Sequence, residues 1–294
     1  MKYTPKPIFD AILDHGEGPL WDPKSQQYYW VDLLEGVYYK GNPKTQEIQL
    51  FNIGEPLGVM ALTENNTPVM ATANGFGVFN EDSKSYTLFN SSPESNLTEL
   101  RFNDGTVDPR GRFIAGSMLY DGSQPSGSLY RLNADKSFTK LDTGLRIPNG
   151  MGWNLTGDTF YMIDTLQFKM FAYDYDLETG DIGNKRTFME FDQKDLADGM
   201  TIDTQGCFWI AFYGEGKVVK YDPFGTKVLQ IDFPAPYMTS CCFGGANMNQ
   251  LFVTTSRRDL TDDEKLKYPQ SGRCFVVETE IKGIADPRVK LQSN

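Results

Sequence analysis

One pattern recurs six times along the 294-residue chain and restricts the possible folds more than any other feature. Each copy begins with a short apolar stretch, continues through a turn rich in Asp, Asn, Gly or Pro, and ends in a segment rich in aromatic and β-branched residues. One residue marks the same phase in each copy, and these markers are Glu17, Gly58, Asn103, Asn149, Asp198 and Ser240, spaced 41 to 49 residues apart. A period in the forties with strand-like patterning predicts an all-β, six-bladed β-propeller with four-stranded antiparallel blades, in a single domain over residues 1–294.

The segments between the markers supply the remaining strands. Three of them alternate around a Gly or Asp turn and are predicted hairpins, at 127–144, 169–191 and 216–233. Only the stretch 260–268 is expected to form a short helical turn. We expect a strand near the N-terminus, within 6–14, to pair with 274–281, because closing the ring removes a sheet edge that would invite aggregation.

Charge and hydropathy exclude several classes of partner. The formal net charge is −11, and an acidic surface repels phosphate backbones, so we expect no nucleic-acid binding. No stretch reaches about 18 apolar residues and the N-terminus lacks the apolar segment of a signal peptide, so we expect no membrane contact and a cytoplasmic protein. The cysteines Cys207, Cys241, Cys242 and Cys274 form no CxxC pair and are predicted to be buried free thiols.

Polar markers are expected to meet at one end of the propeller axis, because the innermost strand of every blade lines the central channel. The four markers that carry oxygen are Glu17, Asn103, Asn149 and Asp198. Each one alone could be a turn residue, since Asp-Gly and Asn-Gly pairs are common in turns. Their matching phase favours a shared site, and carboxylates and amides packed together require a compensating cation.

One divalent metal ion is therefore predicted at this end of the axis. Oxygen ligands favour Ca²⁺ first and Mg²⁺ or Mn²⁺ next. The lack of His and Cys ligands argues against a typical zinc site, although Zn²⁺ and Fe²⁺ stay open. Glu17 and Asp198 would balance the charge, and Asn149 would supply a neutral oxygen. The only histidine, His15, lies near Glu17, but we expect a structural or merely exposed role for it.

Further polar residues of the third repeat are candidates for substrate binding. Arg101 lies two residues before Asn103 and shares its face of the strand. An arginine beside a metal suits a carboxylate, a hydroxyl or a developing oxyanion, although a surface salt bridge would also explain it. Asp104 and Asp121 could both be turn residues, and Asp121 is kept as a candidate substrate contact.

Motifs along the chain resemble those of the regucalcin, gluconolactonase and luciferin-regenerating-enzyme family of six-bladed propellers. The matching segments are GEGPLWD from Gly16, RFNDGTVDPRGRFIAGSM from Arg101, PNGMGW from Pro148, YDYDLETGDIGNKR from Tyr173, DGMTIDTQGCFWIA from Asp198 and TSCCFGG from Thr239. The chain departs from the family at Pro148, where relatives often carry Ser, Thr or Ala, and in the second blade, which matches least. Because that blade is expected to shape one wall of the pocket, the identity of the sugar is not predicted.

The resemblance implies a specific reaction and roles for particular residues. It implies a divalent metal held by Glu17, Asn149 and Asp198, substrate contacts from Arg101 and Asn103, and hydrolysis of a small sugar lactone to the sugar acid. It also implies that Asp198 acts as general base as well as ligand, while the metal would act as Lewis acid on the lactone carbonyl.

Two alternatives stay open on the same scaffold. One is a metal-dependent esterase or phosphotriesterase, because fold does not decide substrate. The other is a non-enzymatic calcium-binding propeller, which Arg101 and Asn103 beside the ligands disfavour. No GxSxG motif is present, so we expect no serine nucleophile. The expected partner is a small-molecule sugar lactone, and the expected assembly is a monomer or a weak homo-oligomer.

Overall fold

The strands form six four-stranded antiparallel sheets arranged as propeller blades, which confirms the predicted fold. The computed structural model describes residues 3–89 and 98–292. The first strand, β1, is Lys6–Ile8. Blade 1 contains β2 (Gly16–Asp22), β3 (Gln27–Asp32), β4 (Val37–Gly41) and β5 (Ile48–Asn52). Blade 2 contains β6 (Leu57–Leu62), β7 (Pro68–Thr72), β8 (Gly75–Asn80) and β9 (Ser85–Leu88). Blade 3 contains β10 (Leu100–Val107), β11 (Phe113–Leu119), β12 (Gly127–Leu132) and β13 (Phe138–Leu145).

The second half of the chain continues the same order. Blade 4 contains β14 (Pro148–Trp153), β15 (Thr159–Asp164), β16 (Lys169–Tyr175) and β17 (Ile182–Glu190). Blade 5 contains β18 (Leu196–Ile202), β19 (Phe208–Tyr213), β20 (Lys217–Tyr221) and β21 (Lys227–Asp232). Blade 6 contains β22 (Met238–Gly244), β23 (Gln250–Thr255), β24 (Cys274–Glu278) and β1. The three predicted hairpins are confirmed as the pairs β12–β13, β16–β17 and β20–β21.

The ring closes between the two ends of the chain, as predicted. β1 pairs antiparallel with β24, with Lys6 opposite Val276 and Ile8 opposite Cys274. The outermost strand of blade 6 thus comes from the N-terminus, so the blade cannot be completed unless both ends of the chain meet. This pairing holds the first and last blades together.

Helical structure is confined to two short segments of the described chain. A 3-10 helix, Thr165–Gln167, follows β15. The predicted helical turn is confirmed as α1 (Asp262–Lys267). Its N-terminus is a capping box, in which Thr261 accepts from the backbone N–H of Glu264 and the Glu264 side chain accepts from the backbone N–H of Thr261. Among the described residues, no helix is both long and apolar enough to cross a membrane.

The hydrophobic core is divided into six clusters, each between two neighbouring blades. Between blades 6 and 1, Phe9 stacks on Trp30 with ring centres 5.0 Å apart, and Tyr28 stacks on Phe252 at 4.3 Å. Alternate residues of a strand face opposite sides of a blade, and both sides are covered by neighbours. The inner strands therefore consist of nearly continuous buried positions. The four cysteines also lie in these clusters or beside them as buried free thiols, as predicted.

The innermost strands β2, β6, β10, β14, β18 and β22 surround the axis in that order. Their second halves line an axial cavity of about 370 Å³, which residues 284–288 close at the end away from the markers. This C-terminal segment is held by backbone hydrogen bonds, from the N–H of Gly283 to the carbonyl of Met248 at 2.8 Å and from Val289 to Leu62 at 2.9 Å. The markers thus lie at the other end of the axis.

Candidate active site on the propeller axis

Each marker residue lies near the start of the innermost strand of its blade, where pairing with the second strand shifts register. The shift falls between Glu17 and Leu20 in blade 1, and between Asn149 and Met151 in blade 4. A β-bulge of this kind takes a residue out of the ladder and redirects its side chain. The sequence repeat therefore records a bulge that is present in all six blades.

Glycine is required beside two of the markers. Gly18 has a φ of 49°, in the left-handed region that favours glycine. At Gly199 an added Cβ would lie 2.1 Å from Oγ of Ser240. Blades 5 and 6 approach too closely at this point for any side chain, and this contact constrains the neighbouring Asp198.

A chain of hydrogen bonds crosses the site from blade 3 to blade 5. Nη1 of Arg101 donates to Oδ1 of Asn103 at 2.7 Å, and Nδ2 of Asn103 donates to Oδ1 of Asn149 at 3.0 Å. Nδ2 of Asn149 donates to Oγ1 of Thr165 at 2.9 Å, and that hydroxyl donates to the carbonyl of Ala197 at 2.7 Å. Because the Thr165 hydroxyl uses its proton on Ala197, it must accept from Asn149, and this fixes the orientation of the Asn149 amide.

Three carboxylates are buried at this end of the axis. Glu17, Asp104 and Asp198 are 4%, 7% and 6% exposed. Burial raises the pKa of Glu17 to about 8 and that of Asp104 to about 6, and it raises the pKa of Asp198 well above its usual range. The negative charge of Asp104 also raises the pKa of Glu17, and both of these charges raise the pKa of Asp198. The groups of the protein thus do not fully balance the negative charge of these three carboxylates.

Arg101 offsets this negative charge only in part. The positive charge of Arg101 lowers the pKa of Glu17 and of Asp198, but this lowering is smaller than the rise caused by burial. Burial also lowers the pKa of Arg101 itself to about 10. Its Nε is buried without a hydrogen-bond partner in the described part of the chain, and its guanidinium carbon lies 5.9 Å from the ring centre of Tyr120. Arg101 therefore retains an unused donor at the site.

The donor set fits a hard divalent cation. Oδ1 of Asp198 is buried and has no hydrogen-bond partner among the described residues, which is unfavourable unless a cation or a proton compensates it. In residues 3–89 and 98–292, no three His, Cys, Asp or Glu side chains are placed to hold a metal by themselves. The amide oxygen of Asn149 is a further candidate donor beside Glu17 and Asp198. Such oxygen ligands are those that Ca²⁺, Mg²⁺ and Mn²⁺ prefer.

One wall of the site is formed by His15, Ser256 and Tyr213. Nδ1 of His15 lies 3.0 Å from Oγ of Ser256, and Nε2 lies 4.0 Å from Oε1 of Glu17. The ring centres of His15 and Tyr213 are 6.1 Å apart. Burial, assisted by the charge of Arg101, lowers the pKa of His15 to about 4, so the ring is neutral at pH 7. The structural role expected for His15 is present in the Ser256 contact, but the ring also faces a predicted metal ligand.

The structure brings most of the predicted site residues to one place and leaves one apart. The residues placed together are Glu17, Arg101, Asn103, Asn149 and Asp198. Asp121 is exposed in the loop after β11, where its Oδ1 accepts from the backbone N–H of Ser123 at 2.9 Å. No hydrogen bond within the described residues joins Asp121 to the others, so its role as a substrate contact stays a prediction.

Sequence reasoning did not identify two parts of the site. The composition around Asp104 predicts a turn residue, whereas Asp104 is buried on the bulge of β10. Thr165, which orients Asn149, was not identified. The sequence does contain one weaker indication of this region, which is an aspartate at the end of the second strand in two blades. These residues are Asp32 in blade 1 and Asp164 in blade 4. Both accept backbone N–H groups that precede the inner strand, Asp32 from His15 at 2.9 Å and Asp164 from residue 146 at 2.8 Å.

Fold and site together define a class of six-bladed propellers with buried carboxylate, amide and guanidinium groups at one end of the axis. Within that class the chain belongs to a known family. Residues 15–257 match the family described as SMP-30/Gluconolactonase/LRE-like region. The resemblance seen in the sequence motifs is thereby confirmed.

Relatives cover nearly the whole chain. Regucalcin of Xenopus laevis is 36% identical over 278 residues, which span 92% of this chain and 93% of regucalcin. YvrE of Bacillus subtilis (strain 168), which carries the name of a sugar lactone lactonase, is 35% identical over 282 residues, spanning 93% of this chain and 96% of YvrE. The crystal structure of a calcium-binding protein, regucalcin, from Agrobacterium tumefaciens superimposes with a TM-score of 0.94 at 27% identity and covers 99% of both chains. The family therefore supports a lactonase-like hydrolase.

Proposed function

We propose that the protein hydrolyses a small sugar lactone to the sugar acid and that the reaction depends on a divalent cation. The observation that carries the proposal is the buried Oδ1 of Asp198, which has no hydrogen-bond partner in the described part of the chain, together with the buried Glu17 and the oriented amide of Asn149. Family membership and 35% identity to YvrE support the reaction class.

Glu17, Asn149 and Asp198 would hold the cation, which when bound would polarise the lactone carbonyl. Ca²⁺ is the first candidate because the ligands are oxygens and because the similar protein from Agrobacterium tumefaciens is described as calcium-binding. Mg²⁺, Mn²⁺, Zn²⁺ and Fe²⁺ are the alternatives to be compared with it.

Asp198 acts in this proposal as the general base. A lactone is an internal ester, so water must attack the carbonyl carbon, and a proton of that water must be removed as the new C–O bond forms. The carboxylate of Asp198 accepts this proton. When the ring C–O bond breaks, the proton passes to the departing alkoxide, so that the products are a carboxylic acid and a free hydroxyl group.

Arg101 and Asn103 have different roles in the proposal. The Nε of Arg101 has no hydrogen-bond partner among the described residues, and the guanidinium of Arg101 would bind a hydroxyl or the developing oxyanion. Asn103 already donates to the carbonyl of Pro148 and to Oδ1 of Asn149, both at 3.0 Å, and accepts from Arg101. These contacts support a positioning role for Asn103 toward Asn149, in addition to the predicted contact with the substrate.

The proposal is tested by lactone hydrolysis after removal of metal. The protein is treated with EDTA, and acid release is followed on glucono-, galactono-, xylono- and arabinono-lactones with each cation added back singly. Protein-free blanks correct for spontaneous opening. We expect turnover to return with one cation and to favour one sugar. No turnover above the blank with any cation would refute the proposal and redirect attention to esters and phosphotriesters.

The same measurements distinguish the two alternative functions that the sequence leaves open. Hydrolysis of esters or phosphotriesters without lactone hydrolysis would identify the first alternative, and cation binding without any hydrolysis would identify the second. A cytoplasmic location and a monomeric or weakly associated state remain predictions from the sequence.

A further inference from the structure

The side chain of His15 contacts the site, yet the proposed reaction assigns it no function. Its side chain is 17% exposed, so the ring is mostly enclosed but keeps an accessible edge. One ring nitrogen is anchored by Ser256 and the other faces Glu17. The hydrogen bonds around Ser256 determine which nitrogen carries the proton.

The hydrogen bonds of Ser256 favour an acceptor role toward His15. Its Oγ donates its single proton to the carbonyl of Asp14 at 3.1 Å and accepts from the backbone N–H of Arg258 at 3.1 Å. A serine hydroxyl has one donor and two acceptor positions, so one acceptor position is left for the contact with His15 at 3.0 Å. This arrangement assigns the proton to Nδ1 of His15, and Nε2 of a neutral imidazole then carries a lone pair.

This assignment places two hydrogen-bond acceptors opposite each other. Nε2 of His15 and Oε1 of Glu17 are 4.0 Å apart, beyond hydrogen-bond distance. When Glu17 is ionised, as it would be while holding the cation, neither atom has a proton to offer the other. No donor among the described residues is placed on Nε2, which is thus left to a donor that enters from the accessible side of the ring, and a sugar lactone presents several hydroxyl donors.

We propose that Nε2 of His15 accepts a hydrogen bond from a hydroxyl group of the lactone substrate and thereby selects among sugars. The inference rests on the proposed function and adds a specificity-determining residue to it. Ser256 acts as a positioning residue, since it fixes both the ring and its tautomer. Tyr213, whose ring centre lies 6.1 Å from that of His15 and whose hydroxyl donates to Asp259 at 2.8 Å, limits the ring on one side.

Two substitutions at His15 separate substrate binding from structure. In His15→Asn the side-chain amide overlays Nδ1, so the bond to Ser256 is kept and the acceptor at Nε2 is lost. In His15→Gln the amide reaches the position of Nε2, so an acceptor is kept and the bond to Ser256 is lost. If the contact with substrate matters, His15→Asn is the more damaging change. If only the contact with Ser256 matters, His15→Gln is.

The assay compares kcat and KM for the preferred lactone and for its monodeoxy analogues. We expect His15→Asn to lower kcat/KM about tenfold, mainly through KM, since one neutral hydrogen bond has a modest net free energy. For the analogue that lacks the contacted hydroxyl, the unmodified protein and His15→Asn should be equal. His15→Gln should retain most of the activity. Thermal unfolding establishes that each variant is folded.

Ser256→Ala provides a second test that leaves the histidine in place. It should give a smaller loss with the same dependence on one hydroxyl. Equal kcat/KM of His15→Asn and the unmodified protein on every lactone would overturn the inference while leaving the proposed function intact. A loss of equal size on all analogues would also overturn it. Absence of turnover by the unmodified protein would overturn the proposed function and the inference together.

Discussion

Replacing Thr165 with valine tests whether the hydrogen-bond chain prepares Asn149 for a cation. Valine has nearly the same shape as threonine but lacks the hydroxyl that accepts from Asn149 at 2.9 Å and donates to the carbonyl of Ala197 at 2.7 Å. Both partners would lose a buried hydrogen bond. A buried polar group left unpaired costs about 1–3 kcal/mol, so we expect the variant to lose on the order of 3 kcal/mol of unfolding free energy.

The larger expected effect is on cation binding. Without Thr165 the amide of Asn149 loses one of the two contacts that fix its orientation and keeps only the hydrogen bond that Nδ2 of Asn103 donates to its oxygen at 3.0 Å, so its oxygen is held less firmly toward the site. Loss of a partner that orients a metal ligand typically weakens metal affinity about 10–100-fold. We expect this loss when Ca²⁺ is titrated calorimetrically into the chelator-treated variant, and we expect Thr165→Ser to bind like the unmodified protein.

A matched control distinguishes this effect from general destabilisation. Thr279 is also buried, and its hydroxyl lies 2.7 Å from the carbonyl of Ile281, far along the chain from the site residues. Thr279→Val should lower the melting temperature and leave Ca²⁺ affinity unchanged. Unchanged Ca²⁺ affinity in Thr165→Val would refute the positioning argument, and no heat of binding in the unmodified protein would refute the cation site itself.

Three other predictions concern the same groups. Asp198→Ala should lower kcat about 10²–10⁴-fold, because the proposed ligand and the proposed general base would be lost together, and near-normal turnover would contradict the assignment. Arg101→Ala should mainly raise KM, whereas a kcat loss at unchanged KM would move Arg101 to oxyanion stabilisation. In the cation-free protein, burial raises the pKa of Glu17 to about 8 and that of Asp104 to about 6, so the folded state binds more protons than the unfolded state between about pH 4.5 and pH 8. The melting temperature of EDTA-treated protein should therefore fall as pH rises through this range and should recover when a cation is added. A melting temperature that does not change with pH would contradict the raised pKa values of Glu17 and Asp104.

The fold was predictable because its information is local and repeated. Each blade carries its own alternation and turns, and the spacing of the markers counts the blades. Even the closure through β1 follows from the need to cover a sheet edge. The positions of the strands within a blade can be predicted without knowing which residues of different blades are in contact.

The interior of the site was only partly predictable, because it depends on contacts between blades. The sequence Asn-Asp-Gly at 103–105 has the composition of a turn, yet the residues lie on a bulge, and only the three-dimensional pairing distinguishes the two. Thr165 reaches Asn149 and Ala197 over 16 and 32 residues of sequence. Nothing in the neighbouring sequence of Thr165 identifies such partners.

The two markers without an ionisable or amide group bear on whether the proposed cation site would serve catalysis or cation storage. At Gly58 an added Cβ would lie 2.5 Å from the carbonyl oxygen of Phe102, so no side chain can project there. In blade 6, the side chain of Ser240 lies against Gly199. In the proposed site the protein would therefore supply ligands mainly from Glu17, Asn149 and Asp198, whereas Ca²⁺ takes about 6–8 oxygen ligands. The remaining ligands would have to be water or substrate oxygens, and such an incomplete protein donor set is what a hydrolytic site requires and a closed storage site does not.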